Sequence, residues 1–302
     1  MDIVPYLLGT HILAALPVPS RARLARRFVA RVYADGEPLL GAAATESGLH
    51  VLLDGAADVW LHTGRRRVRT AELRAGDVFG ESSIFAPDLP SGADVVGRGQ
   101  GLIGRLSGLE WEALRAEDAT GAGAIEAAVI RSLSYRLQFS SSHLLDAMAE
   151  RGFCAPPEAA AQFSLPDTPP RLHRELHARF TTREVPAGVL FADEGGTSDA
   201  MWLLVDGSAE YLRSYDGEQV RVALVSSGAV FGNIGIFSRS RRVAGVRAVT
   251  PLRVLELSAE GAEALLAEPS AVADLFRRTL LHSLCVHRFG VDGALRALAL
   301  EA

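Results

Sequence analysis

The chain has 302 residues, 48% of them hydrophobic and 22% charged, with a formal net charge of −5. That is a globular composition with room for two average domains, and the acidic balance excludes a global basic field of the kind that draws nucleic acid. Two cysteines, Cys154 and Cys285, exclude a disulfide framework, and no apolar run reaches the ~18 residues of a membrane span.

The first 28 residues are moderately apolar but carry no basic region ahead of the apolar part, so they do not read as a signal peptide, and a cytoplasmic location is expected. A short helix is expected from Arg21 to Phe28. "HVLLDGAADVWL" (50–61) alternates as a strand and breaks at Gly55. The run Arg65, Arg66, Arg67 and Arg69 reads as a solvated loop. "GDVFG" (76–80) is followed by "ESSIF", and "GLEWEALRAED" (108–118) is helical. A long helix is expected over 123–150, with Ile125, Val129, Leu133, Leu137 and Leu144 near one stripe.

Residues 152–170, rich in Pro and Ala and ending in Pro169-Pro170, read as a stiff linker. Beyond it the pattern recurs. A helix is expected from Arg171 to Phe180, and "MWLLVDGSAEYLRS" (201–214) breaks at Gly207. "YDGEQVRVALV" (215–225) is a hairpin with Asp216-Gly217 at its tip. "AEGAEALLAEP" is helical, and the last helix, from 271, is expected to weaken at Gly290 and Gly293.

The recurrence has a fixed register. "LLDG" at 52 and "LVDG" at 204 are offset by 152 residues, as are "GDVFG" and "GAVFG"; "LSGLEWEAL" at 106 and "LSAEGAEAL" at 257 are offset by 151. An offset that holds over three landmarks, with one residue lost in the second copy before the last, marks a tandem duplication. Many short strands with Gly turns followed by helices give an α+β fold class: two tandem β-barrels of jelly-roll type, each with flanking helices and a long C-terminal helix. The expected domains are 1–151, a linker 152–170, and 171–302.

In the second copy Gly228, Phe231 and Gly232 are followed by Arg242, Ala244, Val246 and Ala248. This "G-x-V-F-G-[EN]" and "R-x-A-x-V-x-A" cassette resembles the cyclic-nucleotide-binding domain, as in catabolite activator protein and the regulatory subunits of cyclic-AMP-dependent protein kinase. "GESSIF" of the first copy fits the same family. The resemblance implies that an arginine holds the phosphate, a glutamate after the glycine accepts from the ribose 2′-hydroxyl, and a helix after the barrel closes over the base. A planar guanidinium suits the first task, and free N–H groups at a helix start favour an anion.

Here the pair is split. The first copy keeps Glu81, between Gly80 and Ser82, but has Ser91 (or Pro90) for the arginine, and is expected to bind a cyclic mononucleotide poorly. The second keeps Arg242 but has Asn233 for the glutamate. Its expected nucleotide contacts are Gly232, Asn233, Ile234, Gly235, Arg241, Arg242, Val243 and Ala244. With the carboxylate gone, Arg242 is expected to lack a competing anion. With Arg239, Arg241 and Arg247 nearby, the site is expected to be more cationic than the family norm and suited to a cyclic mononucleotide or to a cyclic dinucleotide such as cyclic di-GMP. His282, His287 and Phe289 are candidates to cap the second site, and Tyr135 and Phe139 the first.

Nothing catalytic is evident. His173 and His177 lie four apart on a helix without a third ligand; His282, Cys285 and His287 are too few for zinc; His50 and His62 are not spaced as a strand pair. No cofactor, metal or second basic recognition helix is expected. The sequence points to a regulatory protein that binds a nucleotide and signals through a protein partner, with the 123–150 helix a candidate for homodimer pairing. The alternative is an interaction scaffold whose nucleotide pockets have been retired.

Overall fold

A computed structural model of the chain describes residues 6–7, 18–41, 47–63, 66–89, 92–152, 154 and 168–300. Ser91, Pro90 and most of the expected linker lie outside the described residues. By their contacts, residues 1–132 with 292–302 form one compact unit, and residues 133–291 form a second.

The first unit begins with α1 (Val18–Ala25), then β1 (Val29–Tyr33), β2 (Pro38–Leu40), β3 (Gly48–Thr63), β4 (Arg66–Arg74), β5 (Val78–Phe79), α2 (Ser82–Phe85), β6 (Ala93–Ser107) and α3 (Gly108–Glu117). Helix α4 (Ala119–Arg151) starts in this unit and continues into the second. All pairing is antiparallel, in the order β1-β6-β3-β4, with β2 on β6 and β5 on β3. The break expected at Gly55 is a pair of register shifts inside a continuous β3. Bulges let a long strand bend while its ladder continues.

The arginine run expected as a loop is, from Arg66 onward, part of strand β4. Its Arg69 pairs with Asp58 at 3.0 Å, and Arg67 lies 4.5 Å over the ring of Trp60, so cross-strand partners on β3 hold it in the sheet. Tyr33, Leu52, Val59, Phe79 and Ile103 lie at the centre of this unit's core.

The second unit holds α5 (Pro170–His177), β7 (Thr181–Val185), β8 (Leu190–Ala192), β9 (Ala200–Asp206), β10 (Ser208–Tyr215), β11 (Glu218–Ser226), β12 (Val230–Phe231), α6 (Asn233–Ser238), β13 (Gly245–Ala248), β14 (Leu252–Ser258) and α7 (Ala259–Ala267). Two four-stranded antiparallel sheets, β11-β10-β13-β8 and β12-β9-β14-β7, enclose a core of Trp202, Leu204, Val225, Phe231, Val246 and Val254. Among the described residues the sheets stay open and do not close into a barrel. The β10–β11 hairpin turns at Asp216 (φ 49) and Gly217 (φ 81), the two consecutive left-handed residues that a tight hairpin needs.

The repeated "LS" landmark has a local cause. Ser107 and Ser258 each end a strand and cap the following helix, their hydroxyls accepting from the amides of Glu110 (3.2 Å) and Gly261 (3.1 Å). Each cap contributes about 1 kcal/mol.

The last helix, α8, runs unbroken from Ala271 to Leu300. The weakening expected at Gly290 and Gly293 does not end it. A helical glycine costs only about 1 kcal/mol, and burial of Leu284, Cys285, Arg288, Val291 and Asp292 around the glycines holds the helix through them.

Candidate functional site

The cassette of the second unit starts at the end of β12. Trp202 on β9 pairs with Phe231, and their rings stack at 5.5 Å. Gly232 then turns the chain with φ 84, and a side chain there would meet the carbonyl of Ala200 at 2.7 Å and Nη1 of Arg242 at 3.0 Å. Only glycine accepts both the left-handed backbone and the close approach. The six-residue helix α6 follows, with Asn233, Ile234 and Gly235 all buried. A side chain at Gly235 would collide with Ser198, whose Oγ is buried without a hydrogen-bond partner among the described residues.

Arg242 sits on this platform, its side chain 8% exposed. Its guanidinium lies 4.4 Å above the Trp202 ring. Nε donates to the Thr197 carbonyl (3.0 Å), and Nη2 donates to the Ala200 carbonyl (3.2 Å) and to the Asp199 carboxylate (2.8 Å). Trp202 is itself fixed, its Nε1 donating to Glu256 at 2.7 Å, which also pairs with Arg183. The backbone of Arg242 is tied at both ends, its amide to Gly196 (3.1 Å) and its carbonyl to Gly195 (2.9 Å). What remains is Nη1, beside Gly232 and without a hydrogen-bond partner among the described residues. Asn233 is in the same condition: it is 4% exposed, and its side-chain amide bonds to none of the described residues. Neither is among the fully buried unpaired atoms, so each can bond water or a ligand that reaches the turn.

Two expectations are corrected here. Arg242 does not lack a competing anion, because Asp199, three residues before Trp202, supplies one. The other arginines do not converge on it either. Arg247 is engaged by buried Glu210 at 2.5 Å, which also holds Arg221, and Arg241 donates to the Gly195 carbonyl at 2.9 Å. Arg239, in the left-handed region at φ 55, ends α6 as an exposed residue. Val243 lends its carbonyl to Arg213, and Ala244 is buried.

The first unit departs at the same place. His50 stands where Trp202 stands, pairs with Phe79 and stacks on it at 4.9 Å. Burial, with Arg105 and Arg31 nearby, pushes His50 down to about 4, so the ring is neutral, and its Nδ1 has no hydrogen-bond partner among the described residues. Gly80 keeps the left-handed turn (φ 79), packed against that Nδ1 and the Gly48 carbonyl. Glu81 precedes α2; it is 5% exposed and has a partner inside the protein, and Ser82 begins the helix. The indole that lies under Arg242 in the second unit is thus replaced here by an imidazole already stacked on Phe79.

Of the cap candidates, Tyr135 and Phe139 contact each other edge to face at 5.1 Å and are more than half exposed; both belong to the second unit. Phe289 is partly exposed on α8. No cluster of metal-ligating residues occurs among the described residues, and no described helix is long and apolar enough to cross a membrane.

Comparison with known proteins agrees with the geometry of the second unit. Residues 182–268 match the family model of the cyclic nucleotide-binding domain. A stretch of 98 residues is 34% identical to a cAMP-dependent protein kinase regulatory subunit of Emericella nidulans, covering 32% of this chain and 23% of that protein. A stretch of 107 residues is 29% identical to a cyclic nucleotide-gated potassium channel of Mesorhizobium japonicum, covering 35% and 28%. The matched stretch thus spans about a quarter of each relative. Among solved structures, the regulatory domain of Toxoplasma gondii PKA with cAMP aligns at 16% identity and a TM-score of 0.34, covering 91% of this chain and 94% of that one. The segment 182–268 is thus similar to cyclic nucleotide-binding domains, including that of a kinase regulatory subunit.

Proposed function

We propose that the second unit binds a cyclic mononucleotide through Arg242, Asn233 and the backbone from Gly232 to Gly235, and that the chain is a regulatory, non-catalytic protein of the cytoplasm that signals through a protein partner. The observation that carries this reading is Nη1 of Arg242. Three hydrogen bonds and a stacking contact hold the guanidinium in place, while Nη1 beside the Gly232 turn is left for an acceptor. A fork immobilised before binding loses little entropy when an anion arrives.

Arg242 is the arginine held beside the Gly232 turn, and one arginine fixed there suits one phosphate; Arg239 is exposed at the far end of α6. Arg247 and Arg241 are committed elsewhere, which favours a cyclic mononucleotide over a cyclic dinucleotide. Asn233 can accept from a ribose 2′-hydroxyl or donate to a phosphate oxygen, whereas a carboxylate can only accept. The repeated offset supports reading the first unit as a second, degenerate copy of the domain. His50 in place of Trp202 favours a structural role for it.

Calorimetric titration with cyclic AMP, cyclic GMP and cyclic di-GMP tests the proposal. The expected result is binding of a cyclic mononucleotide that is lost in Arg242→Ala. Binding unchanged by that substitution removes Arg242 from the site. The second reading, a scaffold with a retired pocket, is favoured by the Asp199 carboxylate already on Nη2, and absence of heat with all three nucleotides would establish it.

A further inference from the structure

The C-terminal part of α4 lies against the cassette. Gln138, Ser142 and Asp146 are spaced four apart and so share one helical face. Gln138 Nε2 donates to the carbonyl of Arg241 at 3.1 Å. Ser142 and Asp146 accept from the guanidinium of Arg213, at 3.2 and 2.8 Å. Arg213, near the end of β10 and with a side chain only 16% exposed, also pairs with Glu194 at 3.1 Å and donates to the carbonyl of Val243. The carbonyls on either side of Arg242 are therefore both held from α4, one directly and one through Arg213.

Nothing in these contacts serves the sheets themselves. Arg213 gathers a helix, the loop before β9 and the cassette loop onto one guanidinium, which a surface arginine would not do without cost in side-chain entropy. The backbone segment 241–243 is not in a strand or a helix. Its position, and so the direction of the Arg242 fork, rests on its ties to Gly195 and Gly196 and on this second set to α4.

We infer that Gln138, Ser142 and Asp146, acting through Arg213, are positioning residues for Arg242, and that docking of this α4 face and occupation of the cassette are thermodynamically linked. The link rests on the nucleotide-binding reading above, but the latch itself does not. Linkage is reciprocal: whatever docking adds to affinity, the ligand adds to docking.

The test uses the full chain and the double variant Gln138→Ala/Asp146→Asn, both on a helix surface where these residues are tolerated. Hydrogen exchange is followed at the Arg242 and Gly195 amides without nucleotide, and cyclic AMP and cyclic GMP are then titrated. The latch predicts about ten-fold faster exchange at those amides with thermal unfolding little changed, and about ten-fold weaker binding of whichever nucleotide the wild type takes. Asp146→Glu, which keeps the carboxylate, should restore most of both. Saturating nucleotide should in turn slow exchange in 138–146. Unchanged exchange at Arg242 and Gly195 in the double variant would overturn the latch. If exchange rises as expected and the wild type binds neither nucleotide, the latch stands and the nucleotide reading is what fails. If exchange rises and affinity does not change, the linkage is refuted.

Discussion

Gly235→Ala probes the packing under the cassette. A Cβ there would lie inside the contact distance of Ser198 Oγ, 2.9 Å from Ser198 Cβ and 3.3 Å from the Ser240 carbonyl. The backbone at Gly235 is ordinary right-handed helix, so the obstruction is steric rather than conformational. Ser198 has little room to yield, because its neighbours Thr197, Asp199 and Ala200 all hold Arg242. Overpacking of this kind costs about 1–3 kcal/mol. In a domain of this size that lowers Tm by about 2–4 °C for each kcal/mol. Ser198→Gly removes both obstructing atoms and, since the hydroxyl has no hydrogen-bond partner, breaks no bond. Alone it should cost about 1 kcal/mol or less, through the freedom of an added glycine in the unfolded chain. Combined with Gly235→Ala it should recover most of the loss. Denaturant unfolding of the wild type, both single variants and the double variant closes the cycle. A Gly235→Ala protein as stable as wild type, or a double variant no better than Gly235→Ala, would refute this account of why the position is glycine.

Asn233→Glu should tighten binding of a cyclic mononucleotide by about ten-fold or more, since hydrogen bonds to charged acceptors contribute about 1.5–3 kcal/mol. The gain should vanish with the 2′-deoxy analogue in the same titration. His50 titrates near 6.5 when unfolded and near 4 when folded, so the unfolded chain takes up the proton first as pH falls. Its contribution is whole above about pH 6.5 and fades by up to about 3 kcal/mol on the way to pH 4. His50→Phe, keeping the stack on Phe79, should flatten unfolding free energy against pH in that window; an unchanged slope would show that other groups set it. Buried Arg277 donates to the carbonyls of Leu265, Leu266 and Glu268 at the end of α7. Arg277→Met should destabilise the second unit by about 2–3 kcal/mol in urea unfolding, because it leaves those carbonyls without their charged donor.

Much of the architecture was legible along the chain. The glycine turns at 207 and 232, the Asp216-Gly217 hairpin and the "LS" caps are local signals, and each corresponds to a local structure with its own short-range cause. The expected 123–150 helix extends over Ala119–Arg151. Where the sequence misled, long-range contacts overrode a local preference. Gly290 and Gly293 weaken a helix in isolation, yet α8 passes through them because its flanks are buried. The arginines at 66–69 look like a loop until Asp58 and Trp60 are placed opposite them.

The site divides in the same way. Arg242 and Asn233 were named as candidates from the resemblance carried by one segment, Gly232 to Ala248. Which arginine is available was not legible there, because charge partners come from residues distant in sequence: Asp199 for Arg242, Glu210 for Arg247. The substitution of His50 for Trp202 was visible as letters, but its meaning depended on stacking and burial. Sequence by itself determined the order of elements and the chemistry on offer, since both follow from short-range backbone and side-chain preference. Only the tertiary structure decided which charges are spent and which remain, because the partners that neutralise a guanidinium are brought to it by folding.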